Sequence, residues 1–123
     1  MKEIIAIIRP KKVGATKDAL EQAGFPGITA TPVLGRGRQR GIAAELNFSI
    51  DPQLLSKGKT GGMKYVPKRY INIVVSDRDV NLVIQTIIKV NQTAQIGDGK
   101  IFVLPIDNAI RIRTSETADN ALA

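Results

Sequence analysis

Residues 4–8 read Ile-Ile-Ala-Ile-Ile, and residues 71–75 read Ile-Asn-Ile-Val-Val. Near-continuous β-branched runs of this kind predict strands buried largely on both faces. A shift of about 67 places lays the first run on the second, Val13 on Val80 and Leu20 on Ile87, the mark of an internal repeat. Each run opens the same succession. After the first, Val13–Ala23 reads as a helix, with Gly24 at a plausible C′ position. Ile28–Gly35 then alternates and is rich in Thr and Val, which predicts a strand. The second run reads as a further strand over Arg69–Val75, and Asp77 is a candidate cap for the helix after it. In that helix Val80, Val83, Ile84, Ile87 and Ile88 fall at i, i+3, i+4, i+7 and i+8. Gly97-Asp98-Gly99 makes a turn, and Lys100–Ile106 is a strand.

Two strand–helix–strand units in tandem, without a tight hairpin inside either, specify βαββαβ, an α+β, ferredoxin-like sandwich. Both helices fall on one sheet face. Nothing in the chain covers the other face, yet its strands look apolar, so the expectation is oligomerisation through the bare face. Ala109–Arg113 alternates as a short C-terminal strand. Residues 1–114 then form the domain, with a long loop at 36–66 and a flexible tail at 115–123.

The 123 residues set one domain. Histidine and cysteine are absent. That excludes a structural zinc site of those ligands, a thiolate nucleophile, a phosphohistidine intermediate and any disulfide. Lys2, Glu3 and Arg9 interrupt the apolar N-terminus, which is far too short to span a bilayer, and nothing else is continuously apolar for about 18 residues. A soluble, cytoplasmic protein with no membrane partner is expected.

The net charge is +7, and residues 36–66 hold +4 of it: Arg36, Arg38, Arg40, Lys57, Lys59 and Lys64 against Glu45 and Asp51. The five aromatics, Phe25, Phe48, Tyr65, Tyr70 and Phe102, are scattered, whereas single-strand binders cluster theirs for base stacking. An RNA-binding domain on this scaffold also needs stacking aromatics on its central strands, and Ile4–Ile8 and Ile71–Val75 supply none. The charge therefore points to phosphates or an acidic protein, not nucleic acid.

Four features could carry chemistry. Gly35-Arg36-Gly37-Arg38-Gln39-Arg40-Gly41 leaves the second strand; its glycines allow close backbone approach and its arginines suit phosphates, although a solvated loop base reads the same way. Ile96-Gly97-Asp98-Gly99-Lys100 offers backbone amides and a lysine to a triphosphate, or is an Asp-Gly turn opening a strand. Arg111 and Arg113 share a face if the segment is extended, for phosphate or as edge-strand charges. Lys68 stands where the long loop rejoins the sheet, so it and residues 35–41 meet at the two ends of one loop; a solvated lysine is the plain alternative. No close carboxylate pair on an ordered element and no Gly-x-x-x-x-Gly-Lys-Ser/Thr motif accompany them. A nucleotide site without base or nucleophile suits a sensor rather than an enzyme, and a small phosphotransferase is disfavoured without histidine.

Ile96-Gly97-Asp98-Gly99-Lys100-Ile101-Phe102-Val103, followed by Ile110-Arg111-Ile112-Arg113-Thr114, closely resembles the C-terminal signature of the PII signal-transduction proteins. VLGRGRQRG, residues 33–41, resembles the root of that family's T-loop, and Met1–Pro10 and Val66–Val75 match as well. The resemblance covers nearly all of the chain outside residues 42–65. It implies a trimer of ferredoxin-like subunits with ATP or ADP in the clefts between them, and 2-oxoglutarate joining ATP and Mg2+ at the T-loop root. Gly37, Arg38 and Gln39 would face the phosphates, flanked by Gly97, Asp98, Gly99 and Lys100, with Arg111 and Arg113 reaching in from a neighbouring chain. Ile7, Thr29, Gly35 and Val74 would surround the adenine. Gln39, Lys68 and Gly97 would hold 2-oxoglutarate, Gln39 also meeting the metal.

The departures point to a branch. No tyrosine lies between Gly41 and Lys64, so uridylylation is not expected, and Thr93-Ala94-Gln95 stands where many members have Thr-Gly-x. The loop is longer than in common members and ends Gly-Gly-Met-Lys-Tyr-Val-Pro-Lys. These features resemble the second type of the NifI branch. That implies partnership with a first-type NifI protein, as homotrimer or mixed oligomer, and inhibition of dinitrogenase until 2-oxoglutarate and ATP release it. Phe48, Ile50, Leu54, Leu55, Lys57 and Lys59 are the loop residues offered to that partner. The alternative is a general PII regulator of glutamine synthetase or an ammonium channel.

Overall fold

The computed structural model describes residues 1–37 and 65–122. Strand β1 is Lys2–Ile8, helix α1 Val13–Gln22, β2 Thr29–Gly35, β3 Val66–Val75, helix α2 Val80–Asn91 and β4 Lys100–Pro105. The strands form one antiparallel sheet in the order β2-β3-β1-β4. Both expected βαβ units are present, and the two similar runs lie side by side at the centre, with Ile4 opposite Ile73 and Ala6 opposite Ile71.

Alternation decides the core. Ile4, Ala6 and Ile8 of β1 and Ile71, Ile73 and Val75 of β3 pack against Leu20 of α1 and Val83 and Ile87 of α2. Burying each large aliphatic side chain contributes on the order of 2 kcal/mol. The intervening Ile5 and Ile7 are only half-buried, and Phe102 on the neighbouring strand is 49% exposed. The chain thus buries one face of β1, not both. Strand β2 is an edge and accommodates Pro32, whose missing N–H an edge tolerates.

Helix α1 ends as its sequence predicts. Gly24 has φ +99°, its amide donates to Glu21 and the Phe25 amide to Leu20, the two bonds of a Schellman motif. Phe25 packs back on the core that holds Leu20.

Two local expectations fail. Asp77 does not cap α2: a 3-10 turn, Asp77–Asp79, precedes the helix without a side-chain cap. The Asp77 carboxylate instead accepts from the N-terminal ammonium group of Met1 at 2.6 Å, which holds its pKa below the usual value. The strand expected over Ala109–Arg113 reduces to one antiparallel bridge, Ile110 with Thr117. The chain folds back on itself there: the Arg111 amide donates to the Glu116 carbonyl and the Ser115 amide to the Arg111 carbonyl. Arg111 and Arg113 therefore do not share the face of a strand. Ala118–Ala121 forms a further 3-10 turn.

Candidate functional site

Antiparallel pairing gathers the C-terminal ends of β1 and β2 with the N-terminal ends of β3 and β4. Ile7 lies opposite Tyr70 on one side and Lys100 on the other, and Gly35 lies opposite Val66. A cleft of about 610 Å³ opens at this end, lined by Ile7, Gly35, Gly37, Lys68, Gly97 and Lys100 among others. The two roots of the long loop are neighbours, as the sequence implies.

Lys68 is not a solvated lysine. It is 7% exposed, and its ammonium group donates to the Gly97 carbonyl at 2.7 Å. Gly35 is part of the reason it can lie so close: a Cβ at Gly35 would stand 3.3 Å from the Lys68 Cγ. One contact thus joins the loop root to the glycine turn.

The turn requires its glycines. Gly97 has φ +101° and Gly99 φ +113°, a region that penalises side chains. A Cβ at Gly99 would stand 1.9 Å from the Ile7 carbonyl oxygen, so only glycine lets the turn lie on β1.

Asp98, between the glycines, directs its carboxylate inward. Arg9 donates to it at 2.6 Å and to the Ile96 carbonyl at 3.0 Å. The Thr93 amide donates to it at 2.6 Å, and the Thr93 hydroxyl donates too. Burial opposes ionisation, but the Thr93 bonds and the Arg9 guanidinium outweigh it and hold the carboxyl well below the usual carboxylate range. Arg9 and Thr93 escape a motif-based reading. The signal was one buried-strand terminus carrying a cation, and it becomes meaningful only once Asp98 is placed beside it.

Other candidates lie elsewhere. Thr29 pairs with Asn72, and Val74 lies opposite Glu3, towards the far end of the sheet from Ile7. Val74 lines a second cleft with Gly27, Arg78 and Asp119. Arg111 is engaged by Glu116 at 2.8 Å, and Arg113 is exposed. Within one chain, then, Ile7, Gly35, Gly37, Lys68, Gly97, Gly99 and Lys100 converge, whereas Asp98, Thr29, Val74, Arg111 and Arg113 do not line their cleft. Arg38, Gln39, Phe48, Ile50, Leu54, Leu55, Lys57 and Lys59 lie outside the described residues. Among the described residues, no cluster of three or more acidic side chains could hold a metal alone, and no helix is long and apolar enough to cross a membrane.

The sequence profile described as "Nitrogen regulatory protein P-II" matches residues 1–116. The chain is 62% identical over 122 residues to "Nitrogen fixation nifHD1 region GlnB-like protein 2" of Methanosarcina barkeri, covering 99% of each chain. It is 52% identical over 122 residues to the nifHD region GlnB-like protein 2 of Methanobacterium ivanovii, again over 99% of each. A "Nitrogen regulatory protein P-II" of Cereibacter sphaeroides is 39% identical, over 99% of this chain and 100% of its own. A glycine turn seated on the first strand, a lysine tying it to the loop root and likeness along nearly the whole length agree: the chain belongs to the P-II family, where it is most like the second type of the NifI branch.

Proposed function

We propose that this protein is a cytoplasmic nitrogen regulator, not an enzyme, that binds ATP or ADP and 2-oxoglutarate and reversibly inhibits dinitrogenase through the loop at 36–66. The observation that carries this reading is the 2.7 Å bond from Lys68 to the Gly97 carbonyl, which puts loop root and glycine turn in one cleft. The amides of Gly97 to Lys100, together with Gly37, Arg38 and Gln39, receive the phosphates. Gln39 and Lys68 receive 2-oxoglutarate, the lysine pairing with a carboxylate. Gln39 would meet the magnesium that ATP brings; among the described residues, no cluster of three or more acidic side chains could hold a metal alone.

The cleft is half of a site. Ile7 and Gly35 offer one wall for an adenine, and Thr29, Val74, Arg111 and Arg113 would serve from a second copy docked on the half-exposed face carrying Ile5 and Phe102. A homotrimer, or a mixed oligomer with a first-type NifI protein, completes it. The nifHD-region names of the relatives favour dinitrogenase as target over glutamine synthetase or an ammonium channel.

Calorimetry with Mg-ATP and 2-oxoglutarate, followed by a dinitrogenase assay with the first-type partner, tests the reading. Inhibition relieved by both ligands together supports it. Inhibition absent, with glutamine synthetase affected instead, moves it to the alternative.

A further inference from the structure

We propose that Arg9, aided by Thr93, is a positioning residue for the phosphate turn: it holds Gly97–Gly99 in shape through Asp98 without itself touching the ligand. The proposal rests on the nucleotide reading above.

Two glycines at positive φ make a turn with little stiffness of its own. Its own backbone bond is weak, since the Asp98 amide reaches the Gln95 carbonyl only at 3.4 Å. The strong restraints come from outside. Arg9, 89 residues away in sequence, bonds the Asp98 carboxylate and also the Ile96 carbonyl, gripping the turn at two points. Thr93 grips the same carboxylate through amide and hydroxyl. Arg9 is 8% exposed and does not line the cleft. With three groups already donating to it, the Asp98 carboxylate is a support rather than a ligand contact.

Charge gives Arg9 a second task. A carboxylate between two glycines whose amides receive phosphate would repel that phosphate. A guanidinium at 2.6 Å compensates it. The alternative is that Arg9 merely stabilises the fold.

The test compares Arg9→Gln, Arg9→Lys and Thr93→Val in the full chain, with the core substitution Ile73→Val as a control for general stability loss. ATP affinity by calorimetry and amide exchange of residues 97–100 are the readouts. Arg9→Gln should weaken ATP by about tenfold or more, the scale of losing a supporting contact behind a ligand-binding group. It should also speed exchange in the turn while the β1 and β3 amides stay protected. Arg9→Lys should restore most of both, and Ile73→Val should leave both nearly unchanged.

ATP affinity unaltered by Arg9→Gln would overturn the proposal. If Arg9→Gln does not fold, Thr93→Val at its exposed position decides instead: unaltered affinity and exchange overturn, loss of both supports. If the unaltered protein binds no ATP, the nucleotide reading falls by itself. Exchange in the turn then still decides whether Arg9 holds it, and an unchanged rate overturns that as well.

Discussion

The Cα of Gly99 faces the carbonyl oxygen of Ile7 so closely that a Cβ would sit 1.9 Å from it. The neighbour is backbone in the middle sheet, held between Tyr70 and Lys100, and cannot step aside. Gly99→Ala must therefore displace the turn. With positive φ adding about 1–3 kcal/mol of strain, the variant should melt at lower temperature and lose ATP binding. Thermal melts and calorimetry check it; ATP binding kept at full strength would mean that the turn is not part of the site.

Lys68→Ala separates two tasks. The lysine pairs with a 2-oxoglutarate carboxylate in the proposed complex and with the Gly97 carbonyl in the free chain. Binding of 2-oxoglutarate in the presence of Mg-ATP should disappear. ATP binding should stay largely intact, because the Arg9 contacts still hold the turn. Calorimetry with each ligand separates these effects, and 2-oxoglutarate bound equally well without Mg-ATP would contradict the mechanism.

How legible this was in the sequence depended on the range of the interactions. The strand pair at Ile4 and Ile71 announces itself because burial recurs with a local period, and the end of α1 does so because Gly24 and Phe25 bond within the same turn. Asp77 looks like a helix cap in the sequence because its actual partner, the N-terminal ammonium group, lies 76 residues away. Ala109–Arg113 alternates like a strand, but a strand needs a neighbour, and here the chain turns back at Ser115, with φ +61°, after a single bridge. Lys68 and the glycines were legible as motif residues. Arg9 was not, because nothing local to it distinguishes a buried cation from a solvated one.

Acid should expose the role of Asp98. Its carboxyl is held below the ordinary value near 4. At neutral pH both folded and unfolded states are ionised, and its bonds stabilise the fold in full. As pH falls below about 4, the unfolded chain takes up the proton first and that contribution is progressively lost. Denaturant titrations from neutral to acid pH should show a shallower acid decline for Asp98→Asn than for the unaltered protein. Parallel declines would place the acid sensitivity elsewhere.

Arg111 meets Glu116 at 2.8 Å in the free chain, so in the proposed site an ATP phosphate would have to take it from a carboxylate. Arg111→Ala should weaken ATP binding by about 1.5–3 kcal/mol, the scale of a charge-assisted contact. Glu116→Gln should strengthen it, since the competitor loses its charge. Calorimetry on both variants checks the pair. An unchanged ATP affinity in Arg111→Ala would remove this arginine from the site.

The loop itself offers the sharpest test of function. Residues 44–62 lie outside the described residues, but their sequence has almost no apolar periodicity, and residues 36–66 hold five glycines. Glycine-rich sequence of this kind carries a high backbone-entropy cost in any single conformation. Its roots are fixed: Gly35 pairs with Val66, and Lys68 ties that end to Gly97. In the proposed complex a ligand at Gln39 and Lys68 would hold both roots at once, and it could bias the loop only by favouring one root geometry. Moving a partner from mostly bound to mostly released takes roughly 5 kcal/mol of differential affinity, shared among the ligands of an oligomer. The net +4 of residues 36–66 suits an acidic surface, and Phe48, Ile50, Leu54 and Leu55 would supply apolar anchors. Deleting residues 44–62 should leave a folded, ATP-binding oligomer that no longer inhibits dinitrogenase. The assay is activity of purified dinitrogenase with the first-type partner present, and inhibition retained by the shortened protein would show that another surface is the effector.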